Sequence, residues 1–189
     1  MFNGNMHYTE AELMSMGFRS LGKNVYIDRT TPIYFPEKIS LGDNVKIGSF
    51  CILSGEINIG NCVYVASYSF LSGKAGIDIE DYVSIGHGVK ILTGSDDYSG
   101  EYLSAAIGVP EKYKNITYTK IVLEKHVIVG AGSILLPNSY LSIGTAVGAM
   151  SMIKFRTEPF YIYAGVPAKK IKERSRKFLD FERKLLDNF

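Results

Sequence analysis

The side chains that could exchange a proton near neutral pH are few in this chain of 189 residues. Its three histidines and two cysteines do not have the spacing of a zinc site. His87 and His126 occur at positions of a regular repeat where a side chain should face outward. Asp96 and Asp97 precede Tyr98 in a segment that leaves the repeat. Histidines and carboxylates at such positions are candidate general bases, and an exposed tyrosine can stack on a base or a sugar ring.

These residues are positioned by a six-residue repeat. Aliphatic residues recur at every sixth position over most of the chain, glycine often follows them, and the fifth place is small or β-branched. Where the spacing is eight, from Ile33 to Leu41 and from Leu71 to Ile79, we expect two-residue bulges at corners. The aliphatic column comprises Leu21, Ile27, Ile33, Leu41, Ile47, Leu53, Ile59, Val65, Leu71, Ile79, Ile85, Ile91, Leu123, Val129, Leu135, Leu141, Val147 and Ile153.

A period of six matches neither an α-helix nor a simple alternating strand. It corresponds to three two-residue steps, so aliphatic and small side chains face one way and corners separate short strands. Glycine and Asn/Asp suit such corners because they tolerate unusual backbone angles. A single hexad cannot bury its own apolar side, and stacked coils are needed to form a core. The chain is therefore predicted to be an all-β solenoid.

Three segments leave the repeat and define the domain organisation. Residues 1–20 contain a capping box, Thr9 to Glu12, and are predicted to form an N-terminal helical cap. The solenoid is expected over residues 21–160, with an excursion at residues 94–120 whose length favours a functional role. Residues 161–189 are predicted to be an exit and a basic amphipathic helix that caps the open end of the core. Its apolar face would consist of Ile171, Phe178, Phe181 and Leu185.

Composition argues against several classes of protein. A net charge of +2 is too small for a general nucleic-acid binder. No apolar run is long enough to cross a bilayer, and residues 1–16 lack the features of a secretory signal. Cys51 and Cys62 are expected to be buried thiols rather than a disulfide, as is typical of a cytoplasmic protein.

Several stretches resemble a known family. Residues 129–137, 147–151 and 164–169 resemble the closing part of the hexapeptide-repeat sugar acetyltransferases, which use acetyl-CoA. Residues 16–18, 95–100, 158–159 and 161–165 are similar to the dTDP-4-amino-4,6-dideoxyglucose N-acetyltransferases of the viosamine pathway. The resemblance implies a left-handed parallel β-helix with a short N-terminal helix and a C-terminal amphipathic helix. It also implies a homotrimer that acts on a nucleotide sugar for surface polysaccharide (lipopolysaccharide) synthesis in the cytoplasm.

The same resemblance implies roles for individual residues. Ala131 and Ala149 match small residues whose backbone groups hold the pantetheine arm of CoA in a groove between neighbouring β-helices. Lys154 matches a position near that arm, while Lys169 and Lys172 match basic residues that meet the phosphates of CoA. Acetyl-CoA is the implied acyl donor, and no metal is implied.

The resemblance favours N-acetylation. Relatives that acetylate galactosides place a catalytic histidine after a Thr-Gly pair in the excursion, whereas serine and aspartate follow Thr93-Gly94 here. A sugar amine releases a proton more readily than a hydroxyl, so a modest base suffices. One of the two loop aspartates would orient the amine and the other a sugar hydroxyl. The candidate bases are Asp96, Asp97, His87 and His126.

Other functions remain as alternatives. The nearest is O-acetylation of a galactoside, maltose or an O-antigen sugar, with His87 or His126 as the base. A metal-dependent β-helix such as a carbonic anhydrase would need three converging histidines and is disfavoured. A non-catalytic scaffold is disfavoured by the long excursion and by the irregular outward-facing residues.

Overall fold

The computed structural model describes residues 6–187, which wind into a left-handed parallel β-helix flanked by two short α-helices. The predicted fold is confirmed. In chain order the elements are α1 (Glu10–Ser15), β1 (Ser20–Leu21), β2 (Tyr26–Ile27), β3 (Ile33–Tyr34), β4 (Ile39–Leu41), β5 (Lys46–Ile47), β6 (Ile52–Ile59), β7 (Tyr64–Val65), β8 (Phe70–Ile79), β9 (Ser84–Ile85), β10 (Lys90–Leu92), β11 (Gly94–Ser95), β12 (Thr117–Tyr118), β13 (Ile121–Leu123), β14 (Ile128–Val129), β15 (Ile134–Leu135), β16 (Tyr140–Leu141), β17 (Ala146–Val147), β18 (Met152–Ile153), β19 (Tyr161–Ala164), β20 (Lys169–Glu173) and α2 (Phe178–Leu186).

The strands stack in parallel register to form three faces. The first face contains β2, β5, β7, β9, β14, β17 and β19. The second contains β3, β10, β15, β18 and the first halves of β6 and β8, which bend into the third face alongside β1, β4, β13 and β16. Each face is one step of the hexad repeat, because a coil of three short strands returns the chain to the same face.

The core is the aliphatic column itself. Ile47, Val65 and Ile85 follow one another on the first face and are fully buried. The small residues at the fifth place fill the corners, and their hydroxyls bond to backbone carbonyls. Ser133 Oγ, for example, donates to the Gly148 carbonyl at 3.0 Å, which satisfies a polar group inside the core.

All the irregular corners lie between the second and third faces. Here the first coil makes a 3₁₀ turn over Pro36–Lys38, and the second turns at residues 55–56 with the regular spacing. The third coil bulges at residues 73–76, and the chain then departs at residue 94. Both spacings of eight stand at this corner. The second is a bulge, as predicted, whereas the first is a 3₁₀ turn. We call the segments 35–38, 55–56, 73–76 and 93–120 the bulge corner.

The terminal segments agree only in part with the predictions. The capping box is present, since the Thr9 amide donates to Glu12 Oε2 at 2.7 Å. The prediction of one apolar C-terminal face is wrong, because Ile171 belongs to β20, which pairs antiparallel with β19 and covers the free edge of the last coil. Phe181 is exposed, and α2 packs against the side of the β-helix instead of its end.

The two cysteines differ in environment. Cys51 is buried as expected, whereas Cys62 is exposed at a corner, contrary to the prediction. No helix within residues 6–187 is long and apolar enough to span a membrane.

Candidate active site

One line of small residues runs along the corner between the first and second faces. His87, Ala131 and Ala149 occupy the same place on three successive coils, and all three are exposed. The coils touch closely here because glycine precedes each of these residues. A Cβ on Gly130 would stand only 2.4 Å from the Ala149 nitrogen. We call residues 86–88, 130–132 and 148–150 the small corner.

The small corner presents backbone donors without internal partners. The amide N–H groups of Ala131 and Ala149 bond to no group within residues 6–187, although their carbonyls accept hydrogen bonds from Met150 and Ser151. Exposed amides beside methyl side chains can bond to a ligand that lies along the edge of the coils. The structure thus brings together three of the residues selected from sequence, His87, Ala131 and Ala149.

The three candidate CoA lysines are exposed but do not form one cluster. Lys169 faces Ala164 across the β19–β20 pair and so continues the small corner by one coil. Lys172 is further along β20, opposite Ile162. Lys154 follows β18 and stands at the other end of the second face, away from Ala149. The sequence prediction that Lys154 lies near the same arm therefore finds no support within a single copy of the chain.

A groove of about 510 Å³ follows the bulge corner over the early coils. Its walls carry the cations of Arg19, Lys38 and Lys74, together with the Glu56 carboxylate. Arg19 Nη1 lies 3.6 Å from Glu56 Oε1, and Lys38 Nζ lies 5.2 Å from the centroid of the Phe35 ring. The sequence analysis did not predict this groove. The one sequence feature that marks its corner is the pair of eight-residue spacings in the repeat.

A second cavity, of about 300 Å³, continues this groove beneath the excursion. Lys74 lines both cavities, and Asp96 and Tyr118 line the second. Lys74 Nζ bonds to the Tyr118 hydroxyl at 2.6 Å, which raises the pKa of Lys74. The antiparallel pair β11–β12 holds the base of the excursion in place.

The loop aspartates bond within the excursion. Asp96 Oδ1 accepts from the Ala105 amide at 2.9 Å. Asp97 accepts from the Ser99 side chain and amide and from Asn115 Nδ2, and the Ser99 bonds hold the pKa of Asp97 below its usual value. A carboxylate with a lowered pKa is a weaker proton acceptor, so Asp97 is less suited to act as a base than the sequence suggested.

Tyr98 is 91% exposed, and its side chain makes no hydrogen bond or ring contact within residues 6–187. No residue of the same copy holds Tyr98 in a fixed position, so its role in substrate binding stays a prediction. Tyr118, by contrast, stands at the groove through its contact with Lys74.

His126 is not exposed, contrary to the sequence prediction. It points away from the β-helix core, but α2 covers it and leaves 8% of the residue accessible. Its ring stacks on Tyr82 at 5.2 Å between centroids and packs against Phe178 at 5.0 Å, while Nε2 lies 2.8 Å from Glu182 Oε2. The imidazole is thus enclosed by groups that hold α2, away from both cavities and from the small corner.

The two parts of the candidate site lie at opposite ends of the second face. His87 precedes the start of the excursion at Gly94 by seven residues, which span up to about 23 Å of extended chain at roughly 3.3 Å per residue. Within one copy, the small corner and the loop aspartates therefore do not meet. Residues 6–187 contain no group of His, Cys, Asp and Glu that could hold a metal ion.

Comparison with protein-family models gave no match. Among curated proteins, the chain is 42% identical over 176 residues to the dTDP-4-amino-4,6-dideoxy-D-glucose acyltransferase of Escherichia coli, a match that covers 92% of this chain and 91% of the relative.

Among solved structures, the chain is similar to AntD, an N-acyltransferase from Bacillus cereus. The complex of AntD with dTDP and 3-hydroxybutyryl-CoA superposes with a TM-score of 0.94 at 44% identity, covering 98% of both chains. A variant of AntD in complex with dTDP-4-amino-4,6-dideoxyglucose and coenzyme A gives a TM-score of 0.95. A hexapeptide-repeat acetyltransferase from Vibrio cholerae, at 18% identity and a TM-score of 0.63, shares the fold.

Proposed function

The chain belongs to the family of dTDP-4-amino-4,6-dideoxyglucose acyltransferases, and from that premise we propose that it transfers an acyl group from CoA to the amine of that nucleotide sugar. The acyl-CoA is the second substrate, and acetyl-CoA is the donor that the sequence resemblance implies. The reaction needs a neutral amine nitrogen next to the thioester carbonyl and a donor for the developing oxyanion.

The observation that carries this proposal is the small corner. Its free amides at Ala131 and Ala149 suit the amide carbonyls of a pantetheine arm, which must lie close to the backbone to bond to it. Lys169 and Lys172 follow on the same side and supply positive charge for the phosphates of CoA. In this arrangement the arm runs along the corner toward His87, and the thioester end reaches the earlier coils.

His87 is the best placed of the candidate bases. Its imidazole is exposed at the small corner and has no partner within residues 6–187, so it is free to accept a proton from the sugar amine. The amine attacks the thioester carbonyl, the carbon–sulfur bond breaks, and CoA leaves as the thiol once it has taken up a proton. Asp96, in the cavity beneath the excursion, would orient the sugar.

We further propose that the complete site forms between copies of the chain in a homotrimer. The excursion and the small corner lie apart in one copy, and a neighbouring copy would bring its small corner to the excursion. The outward residues of the second face suit such contact, since Ile52 and Phe70 stand side by side there and the exposed Tyr34 lies on the same face, opposite Ser54. Tyr98 would then contact the neighbour or its ligand.

The proposed cellular role is in the cytoplasm, where CoA thioesters and nucleotide sugars are made. The acylated nucleotide sugar would serve surface polysaccharide synthesis, as the sequence resemblance implies.

A free-thiol assay with acetyl-CoA and a panel of acceptors tests the function. The panel contains dTDP-4-amino and dTDP-3-amino dideoxysugars, a galactoside and maltose. We expect thiol release with the dTDP-4-amino sugar alone. Release with the galactoside or maltose and none with either amino sugar would instead support O-acetylation.

A further inference from the structure

The Thr93-Gly94 pair stands where the chain leaves the β-helix and begins the excursion. Building on the proposed function, we propose that this pair holds the excursion in the position that acyl transfer needs. Thr93 fastens the excursion to the bulge at residues 73–76, and Gly94 makes room for the ring of Tyr118. Neither residue is assigned a contact with the substrate, so both are positioning residues.

Thr93 is completely buried and joins both ends of the excursion to the preceding coil. Its hydroxyl donates to the Ser72 carbonyl at 2.8 Å and accepts a hydrogen bond from the Ala75 amide at 3.0 Å. Its own carbonyl accepts a hydrogen bond from the Thr119 amide at 3.0 Å, where the excursion returns. Removal of the hydroxyl would leave the Ala75 amide without its partner, and the bulge would shift to find another.

Gly94 leaves room for an aromatic ring at the base of the excursion. It faces Tyr118 in the antiparallel β11–β12 pair. A Cβ on Gly94 would stand 2.8 Å from Cε1 of the Tyr118 ring, so the ring occupies the space that a side chain would take. In this place the tyrosine hydroxyl lies 2.6 Å from Lys74 Nζ, which belongs to the bulge.

The rest of the excursion depends on its base for its position. Within the described part of the chain, every hydrogen bond of residues 96–116 joins two groups of the excursion itself. At the returning end, Thr119 bonds to Asn138 and Lys120 pairs with Asp78. At the departing end, the contacts of Thr93 and the β11–β12 pair hold the chain.

The departing end matters most for the proposed reaction. Asp96 follows β11 directly and lines the cavity beneath the excursion, where it would orient the sugar. Lys74 lines the same cavity and belongs to the bulge that Thr93 holds. The Thr93-Gly94 pair therefore sets the spacing between a carboxylate and an ammonium group on the two sides of one cavity.

Steady-state kinetics with the dTDP-4-amino sugar and acetyl-CoA test the inference. T93V removes the hydroxyl but keeps the size of the side chain. We expect it to raise the KM for the amino sugar about tenfold and to leave the KM for acetyl-CoA within about twofold, because the small corner is untouched. T93S keeps the hydroxyl and should restore the wild-type KM. G94A should displace the Tyr118 ring and raise the same KM about tenfold.

The matched control is T31V. Thr31 is as buried as Thr93 and makes an equivalent pair of bonds in the first coil, to the Gly48 carbonyl at 2.8 Å and from the Cys51 amide at 3.0 Å. T31V should therefore lower the Tm by an amount similar to that in T93V, with both KM values unchanged. If Thr93 served stability alone, the two variants would have the same kinetics.

The outcomes separate this inference from the proposed function. If the wild-type enzyme acylates the amino sugar and T93V and G94A share its KM values, the inference is overturned while the acyltransferase function stands. Equal rises in both KM values in T93V also overturn it. If T93V does not fold, G94A decides by the same criterion.

If the wild-type enzyme acylates no amino sugar, the proposed function fails and the inference fails with it. A rise confined to the KM for the amino sugar in T93V and G94A, with T93S and T31V like the wild type, supports the inference.

Discussion

The imidazole Nε2 of His126 lies 2.8 Å from Oε2 of Glu182, and this pair fastens the C-terminal helix to the side of the β-helix. Lys125 Nζ reaches the other oxygen of the same carboxylate at 2.5 Å, and Arg174 donates to the His126 carbonyl at 2.8 Å. Burial alone would raise the pKa of Glu182, but hydrogen bonds from Lys125 and His126 outweigh it and leave that pKa below the ordinary 4.5. The contact predicts that His126 serves to hold α2 in place.

Replacing Glu182 with glutamine should destabilise the protein by about 1–3 kcal/mol, since a half-enclosed charge network loses its anion. A carboxylate whose pKa is lowered by folding contributes stability above its unfolded pKa and loses that contribution as the pH falls through the lowered value. The wild-type protein should therefore lose this stability below pH 4.5, and E182Q should not. Urea unfolding at neutral and acidic pH measures both effects.

The matched control is D180N, which removes an exposed ion pair with Arg183 on the same helix. We expect it to change the free energy of unfolding by less than about 1 kcal/mol. Equal losses of unfolding free energy in D180N and E182Q would mean that the contacts of Glu182 with the β-helix stabilise the protein no more than an exposed ion pair does.

The H87Q variant should lower kcat by roughly 10²-fold or more, with little change in the free energy of unfolding, because the imidazole is exposed and its proposed role is proton transfer alone. H126Q should do the opposite, lowering stability while the folded enzyme keeps its kcat. Steady-state kinetics and urea unfolding of the two variants separate these roles. A large loss of kcat in fully folded H126Q, with H87Q unaffected, would reverse the assignment of the base.

The A149L variant tests the small corner as the place of the pantetheine arm. A leucine side chain would occupy the space beside the free amides, so the KM for acetyl-CoA should rise about tenfold or more. Stability should be preserved because the site is exposed. A149S adds one small atom and serves as control with a much weaker effect. An unchanged KM in A149L would place CoA elsewhere.

A site shared between copies predicts complementation. One variant is H87Q, and the other replaces residues 97–115 by an Asn-Gly turn, which β11 and β12 can accept because Ser95 already pairs with Thr117. Each variant alone should have at most about a hundredth of the wild-type activity. Refolding the two together should restore part of the activity, since an intact His87 from one copy then meets an intact excursion from another. No recovery in mixed trimers would indicate that each copy holds a complete site.

The fold and one edge of the site follow from local sequence, because the hexad period defines the coil and glycine with alanine defines the small corner. The groove at the bulge corner cannot be predicted from local sequence. Arg19, Phe35 and Lys74 are far apart in sequence and come together only because the irregular turns stack at one corner. The burial of His126 was equally hidden, since it depends on the docking of a helix more than fifty residues later.

The residue pattern of β20 predicts a helix, although the segment is a strand. Residues 169–173 are basic and have a helix-like apolar spacing with Phe178 downstream. The open edge of β19 nevertheless recruits them as a strand, because unpaired backbone groups at a sheet edge gain partners that way. The spacing of apolar residues within the segment does not reveal that a neighbouring strand edge is open for pairing.

The chemical nature of the product formed from acetyl-CoA and dTDP-4-amino-4,6-dideoxyglucose distinguishes N-acyl transfer from O-acyl transfer. Mass spectrometry of the product before and after hydroxylamine treatment distinguishes an amide, which resists hydroxylamine, from an ester, which is cleaved. We predict a monoacylated nucleotide sugar that survives the treatment unchanged. A hydroxylamine-labile product, or no acylation of this sugar by the folded enzyme, would contradict N-acyl transfer.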